Sequence, residues 1–320
     1  MNYSAQAIKD LEFMLGMMRD DYPLTSIATK IIIDLLRSSI KFSIPDGGKL
    51  FEKGYFPNME EIGDFHLPFP IVALEYKFKT LHNSTGLGID QDAHERIALC
   101  VDVSQVENFP LNFFNSKNGF YVFPFWKTDS KLGRLWNVCY GGGFIPASRD
   151  PDSTLTTPKE LEGLITTTTD LGVRYFPVLP EMVHSLETSF GRDEFIKNMT
   201  LDANDEVGAL LHFLSVVNCS NVIAETANTN KRNLKARNAK RIKKGKKELF
   251  EYKVLKIKPS LTQRAKSMNE GQKRKSPKEH LRRGHPRRIP GKSKPTWINS
   301  VTVCPESKGR VDKEYSLFDD

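Results

Sequence analysis

The chain reads as an α+β protein: a mostly antiparallel sheet with packed helices, plus a small, basic, β-rich carboxy-terminal module. Three observations carry that expectation. Apolar residues recur with a helical period in the first forty residues and again after residue 200. Between them lie short runs of Val, Ile, Phe, Tyr and Trp with no helix-length spacers. Beyond residue 229 Lys and Arg crowd together while strand-like runs persist.

Ile8, Leu11, Leu15 and Met18 share one face of a 3.6-residue period, which predicts a helix over 5–19. A second begins after Thr25, a suitable cap, and runs through Ala28, Ile31, Ile32 and Leu35 to about Arg37. The pair is expected to form a hairpin on one side of a sheet, and the polar stretch 45–63 to be a loop. Residues 69–78, 97–103, 119–125 and 135–145 read as strands, with 173–179 as a fifth. Antiparallel pairing follows from the short connections, since parallel neighbours need long crossovers. Helices are expected on one face of this sheet. Residues 204–224 read as a helix whose inner face carries Val207, Leu210, Leu211, Leu214 and Val217.

Residues 1–228 are thus taken as an acidic α+β body and 229–320 as the basic module. The charge divides sharply: residues 1–229 carry 19 basic and 30 acidic side chains, whereas 230–296 carry 25 basic against four acidic, a net of +21. Such density repels itself and suits a polyanion, whose phosphates give affinity by releasing counterions. Nucleic acid is the first candidate; an acidic protein surface and a solvated basic tail remain open. Within the module a helix with little buried face is expected around Lys231, Arg232, Lys235, Arg237, Lys240, Arg241, Lys243 and Lys244, stopped by Gly245; these and Lys246 beyond it are the candidate phosphate contacts. Residues 249–257, 296–303 and 310–317 are expected to make a small sheet, with 259–295 a long basic loop inserted in it.

A 39 % hydrophobic content with 10 % aromatics is that of a folded soluble protein. The longest apolar runs, 71–74 and 97–103, fall far short of the roughly 20 residues that cross a bilayer, so no membrane association is expected. The first residues lack the basic start and apolar middle of a secretory signal, which makes cytoplasmic residence the expectation. Cys100, Cys139, Cys219 and Cys304 are widely separated, which implies neither zinc nor disulfides. No cofactor is implied.

Residues 219–257, then 282–303, then 309–317 resemble a widespread family of phage and prophage proteins. The pattern is an apolar helix ending in an Asn-rich turn, then N-x-x-R-x-x-K-G-K, R-G-H-x-R followed by Trp, and G-x-V-x-K-x-Y. Here it falls on Asn238, Arg241, Lys244, Gly245 and Lys246, then Arg283, Gly284, His285, Arg287 and Trp297, and last Gly309, Val311, Lys313 and Tyr315. Pro286 departs from it. The resemblance implies a viral origin and a bacterial host cytoplasm, and it assigns no reaction.

The sharpest constellation is Arg282, Arg283, His285, Arg287 and Arg288 around Gly284: guanidinium forks hold phosphates bidentately and glycine admits a close backbone. His285 is the one weak catalytic candidate, as a proton shuttle in a nuclease. Asp90 and Asp92, beside His94 and Glu95, are weak candidates for a divalent cation; no firm metal site is expected. Phe250, Tyr252, Trp297 and Tyr315 would stack on unpaired bases if they face solvent, or form a small core if they do not. The triplet Gly141, Gly142 and Gly143 lacks the Lys and Ser or Thr of a phosphate-cradling loop and is expected to be a bulge or turn. The expected function is therefore a phage-encoded nucleic-acid-binding protein favouring RNA or single strands. The alternatives are a host-takeover or anti-defence protein that binds a bacterial protein or ribonucleoprotein, and a nuclease.

Overall fold

The computed structural model describes residues 2–18, 21–51, 58–77, 94–130, 133–147, 165–167, 171–227, 234–246, 249–257, 280–282, 284–298 and 301–303. Helices α1 (Tyr3–Met18) and α2 (Pro23–Ser38) form the expected hairpin. Pro23 starts α2 where a missing N–H costs nothing and its fixed φ suits the helix. Strand β1 (Ile40–Ser43) follows almost at once, then a 3-10 turn (Asp46–Gly48) and the short α3 (Met59–Gly63), whose capping Asn58 accepts the Glu61 N–H. Next come β2 (Ile71–Lys77), β3 (Glu95–Asp102), β4 (Gly119–Ser130), β5 (Gly133–Val138), β6 (Gly141–Pro146), β7 (Thr166–Thr167) and β8 (Arg174–Pro177). Helices α4 (Pro180–Phe190) and α5 (Arg192–Val217) lead to β9 (Val222–Thr226), α6 (Leu234–Ile242) and β10 (Tyr252–Ile257). The short strands β11 (His280–Arg282), β12 (His285–Arg287), β13 (Thr296–Ile298) and β14 (Val301–Val303) complete the described chain.

Among the described residues ten strands form one sheet, in the order β7-β8-β6-β4-β3-β2-β1-β10-β9, with β5 also paired to β4. Every pairing is antiparallel except those of β1, which runs parallel to both β2 and β10. Alternate side chains of each strand enter different cores, because successive residues point to opposite faces. On β2, Val72, Leu74 and Tyr76 meet Ala203, Val207, Leu210 and Phe213 of α5. Ala73 and its neighbours Leu99 and Phe123 face Ala7, Leu11, Ile32 and Leu36 of the hairpin. Helices therefore cover both faces, where the sequence had predicted one; the unbroken apolar character of β3 from Ile97 to Val101 is what burial on both sides requires.

Three further expectations are corrected. The strand at 249–257 does not join a small carboxy-terminal sheet: as β10 it fills the space between β1 and β9 of the main sheet, with Lys41 opposite Tyr252 and Thr226 opposite Lys253. The stretch 296–303 instead makes two separate pairs, β12 with β13 and β11 with β14, so the loop expected over 259–295 contains strands at 280–282 and 285–287. The predicted helix at 204–224 begins at Arg192 and ends at Val217, and Val222 to Ala224 belong to β9. Residues 310–317 lie outside the described residues.

Candidate nucleic-acid interface

Helix α6 buries no side chain. Its attachment is narrow: the Asn238 Nδ2 group donates to the Leu249 carbonyl at 2.9 Å, and the Leu249 N–H donates to Asn238 Oδ1 at 2.9 Å. One amide thus mimics a strand partner and ties the middle of α6 to the segment that enters β10. The helix stops as expected at Gly245. With φ +62°, that glycine allows its own N–H to reach the Ile242 carbonyl and the Lys246 N–H to reach that of Arg241, a paired closure that needs a left-handed residue.

Along α6 the half-buried positions are Leu234, Asn238 and Arg241, spaced by four and three residues on one side. Lys235, Arg237 and Lys240 are exposed, as are Lys243, Lys244 and Lys246 just past the helix. These expected contact residues therefore gather on one element. Lys231 and Arg232 lie outside the described residues, as do Arg283, Asp90, Asp92 and Tyr315.

The second basic cluster is placed elsewhere. The β12–β13 pair is docked just past the end of α5 by three hydrogen bonds: the Ser220 N–H donates to the Pro295 carbonyl, while the Asn221 side chain accepts the Trp297 N–H at 2.8 Å and donates to its carbonyl at 2.9 Å. His285 is half-buried on β12, Pro286 is buried and Arg287 is exposed. Arg288 is exposed too, but its Nε lies 3.3 Å from Glu61 Oε1, so the chain's own acid offsets part of that charge. Arg282 ends β11, opposite Val301. In the β9–β10 hairpin, α6 adjoins the end where Thr226 meets Lys253, and the docked pair adjoins the end where Val222 meets Ile257. Four steps of strand, about 13 Å, separate those two ends.

Of the aromatic residues offered for base stacking, Phe250, Tyr252 and Trp297 are engaged within the protein. Trp297 is 7 % exposed: its ring lies against Gly284, where an added Cβ would come within 2.8 Å of it, and 6.2 Å from the Phe51 ring. Its assignment as a nucleic-acid contact is corrected to a core residue. The Phe250 ring carries the Lys41 ammonium 3.9 Å from its centroid, and the Tyr252 hydroxyl donates to Glu75 at 2.7 Å. No family model matches the chain, and no curated protein or solved structure is significantly similar to it.

A buried polar seam between α5 and the sheet had no counterpart in the sequence reading. Glu206, fully buried, accepts from the Tyr76 hydroxyl at 3.0 Å and from Arg96 at 3.2 Å. The Arg96 guanidinium lies between the registered strands carrying Tyr76 and Trp126, with the Trp126 ring 5.2 Å away. Burial pushes the carboxyls of Glu206 and of nearby Asp202 up to about 7, against the opposing pull of Arg96. Asn198, Asp202 and Glu206 recur every four residues on α5, which is the signal that places them on one face. Among the described residues no group of three or more His, Cys, Asp or Glu is arranged to hold a metal. Cys100, Cys139 and Cys219 are buried free thiols. The glycine triplet, expected as a bulge or turn, instead opens β6 and pairs with β8: a Cβ on Gly141 would stand 2.3 Å from Met199 Cγ, and one on Gly143 2.4 Å from Val207 Cγ2. Their hydrogens let α5 lie close on β6. Among the described residues no helix is long and apolar enough to cross a membrane.

Proposed function

We propose that this is a phage-encoded nucleic-acid-binding protein acting in the host cytoplasm, with α6 as its contact element. One observation carries the reading: a helix with no buried side chain, tied to the body through the Asn238 amide, presents Lys235, Arg237 and Lys240 to solvent, and the turn that closes it presents Lys243 and Lys244. Holding cations together in this way has no folding benefit of its own, because like charges three and four residues apart repel. A row of phosphates relieves that repulsion and gains entropy as counterions leave. The neighbouring Glu225 is paired with Lys256 at 2.7 Å, which limits its repulsion of a polyanion. The test is binding of random-sequence oligonucleotides by fluorescence anisotropy across salt. The logarithm of affinity is expected to fall by about 0.7 to 0.9 for each phosphate neutralised per logarithm of salt. Equal retention at about 0.1 M and about 0.5 M salt counts against the proposal.

A second reading, binding of a bacterial host protein or ribonucleoprotein, draws on a different surface. Phe13 and Met17 on α1 and Leu24 and Ile27 on α2 are each at least half exposed at one end of the hairpin. Large apolar side chains grouped at a surface mark interaction sites. Recovery from host lysate of a partner that survives nuclease, and that is lost from Phe13→Ser/Ile27→Ser, supports this reading over the first.

A further inference from the structure

We infer that the ligand of α6 is duplex DNA, entered through its major groove; the inference rests on the nucleic-acid reading above. The argument begins with which side chains crown the helix. Turning 100° per residue, the side opposite the anchored face of Leu234, Asn238 and Arg241 is centred on Ala236 and Ala239. Two methyl groups at the crown keep the helix thin where it would meet a groove floor. Cations stand on both flanks, Lys235 on one side and Arg237 with Lys240 on the other, where the walls of a groove carry phosphates. Nine residues span about 14 Å, and a bare helix of this kind fits a major groove about 12 Å wide. Alanine methyls there meet thymine methyls.

Two rival ligands fit less well. An unpaired strand is held by aromatic platforms, and Phe250, Tyr252 and Trp297 are occupied by Lys41, Glu75 and the core. Duplex RNA has a major groove too deep and narrow for a helix, and its shallow groove is read across a broad surface, whereas α6 projects as a single rod. The Asn238 anchor and the paired closure at Gly245 fix its direction, so the helix is ordered before contact and loses little entropy on insertion.

The experiment uses the full chain and three labelled probes of one sequence, about 20 nucleotides long: duplex DNA, its single strand, and duplex RNA. Duplex DNA is expected to bind at least about tenfold tighter than the other two at equal salt. Ala239→Trp, which thickens the exposed crown, is expected to weaken duplex DNA binding about tenfold and leave single-strand binding within about twofold, with an unchanged melting temperature. Lys243→Gln is expected to lower the salt slope by about one. Ala236→Trp serves as the second crown variant should the first perturb the helix. Single strands or duplex RNA bound as tightly as duplex DNA, or crown variants that leave duplex binding intact, overturn the inference while the broader reading stands. Failure of the wild-type chain to bind any of the three removes both.

Discussion

Glu75 on β2 receives three hydrogen bonds from the start of α1, two of them from Ser4: its N–H at 2.8 Å, its hydroxyl at 2.6 Å, and the Tyr3 N–H at 3.0 Å. A buried carboxylate thus satisfies orphan donors of the helix amino terminus and lies at the positive end of its dipole. The mirror arrangement holds the other helix of the hairpin. Lys41, 2 % exposed on β1, donates its Nζ to the carbonyls of Leu36, Arg37 and Ser39 at the end of α2, at 2.6–3.0 Å. The hairpin brings the start of α1 and the end of α2 to the same place, so one acid and one base in adjacent strands fasten both. Glu75→Gln keeps an oxygen for one set of donors, Ser4 or Tyr3 with Tyr252, and turns amide hydrogens toward the other; it is expected to cost about 2–4 kcal/mol, measured by urea denaturation. Lys41→Met removes three bonds and strands buried carbonyls, with a cost of about 1.5–3 kcal/mol. A loss under 0.5 kcal/mol for either contradicts the fastening.

Glycine has opposite meanings on the two sides of the α5 contact. At Gly143 a methyl would stand 2.4 Å from Val207 Cγ2, a β-branched group with little freedom to retreat. At Gly208, one residue along α5, a methyl would meet nothing within 4 Å. Gly143→Ala is expected to destabilise by about 1–3 kcal/mol, and Gly208→Ala to stabilise by about 0.5–1 kcal/mol because alanine loses less backbone entropy in a helix. Melting temperatures moving in the same direction for both would contradict the close approach of α5 to β6.

Trp297 separates stability from binding. Its burial against Gly284 and Phe51 predicts a loss of about 3–5 kcal/mol in Trp297→Ala. The salt slope of nucleic-acid binding, measured at a temperature where the variant stays folded, is expected to equal that of the wild type. A slope or affinity change in the folded variant would return Trp297 to the interface.

The helical hairpin was legible in the sequence because its apolar period runs for several turns; α2 ends within one residue of the expected bound but starts three residues early, at Pro23 with Thr25 inside the helix rather than as its cap. The stop at Gly245 was legible for a local reason, the left-handed backbone that glycine tolerates. What could not be read is where strands go. Nothing in Tyr252–Ile257 says that β10 will lie parallel to β1, more than two hundred residues earlier, because pairing partners leave no local mark beyond alternation. The same holds for the seam of Tyr76, Arg96 and Glu206: an arginine opening a strand and a glutamate in a helix look like surface residues until α5 is laid across the sheet. Trp297 was ambiguous for a related reason, since an aromatic side chain amid cations suits a core and a stacking platform equally.

The seam also makes stability depend on pH in an unusual sense. Asp202 is 8 % exposed, and burial, reinforced by Asp205, raises its carboxyl to about 7, although Arg96 opposes this. A carboxyl raised on folding binds its proton more tightly in the native state than in the unfolded chain, where it titrates near 4. Between about pH 4 and 7 the native state therefore holds the extra proton, and linkage makes stability fall as pH rises through that window. Below it, Asp202 is protonated in both states and exerts no pH effect; above it, the ionised group sits desolvated near Glu206, which burial also raises. Asp202→Asn removes the titration at nearly constant volume. The variant is expected to match the wild type near pH 4 and to be more stable by about 1–3 kcal/mol at pH 8, the gap widening steadily between. The measurement is a series of urea midpoints at constant ionic strength. A gap independent of pH, or one that widens toward acid, would mean that Asp202 is ionised at no cost in the folded chain and that Arg96 outweighs its burial.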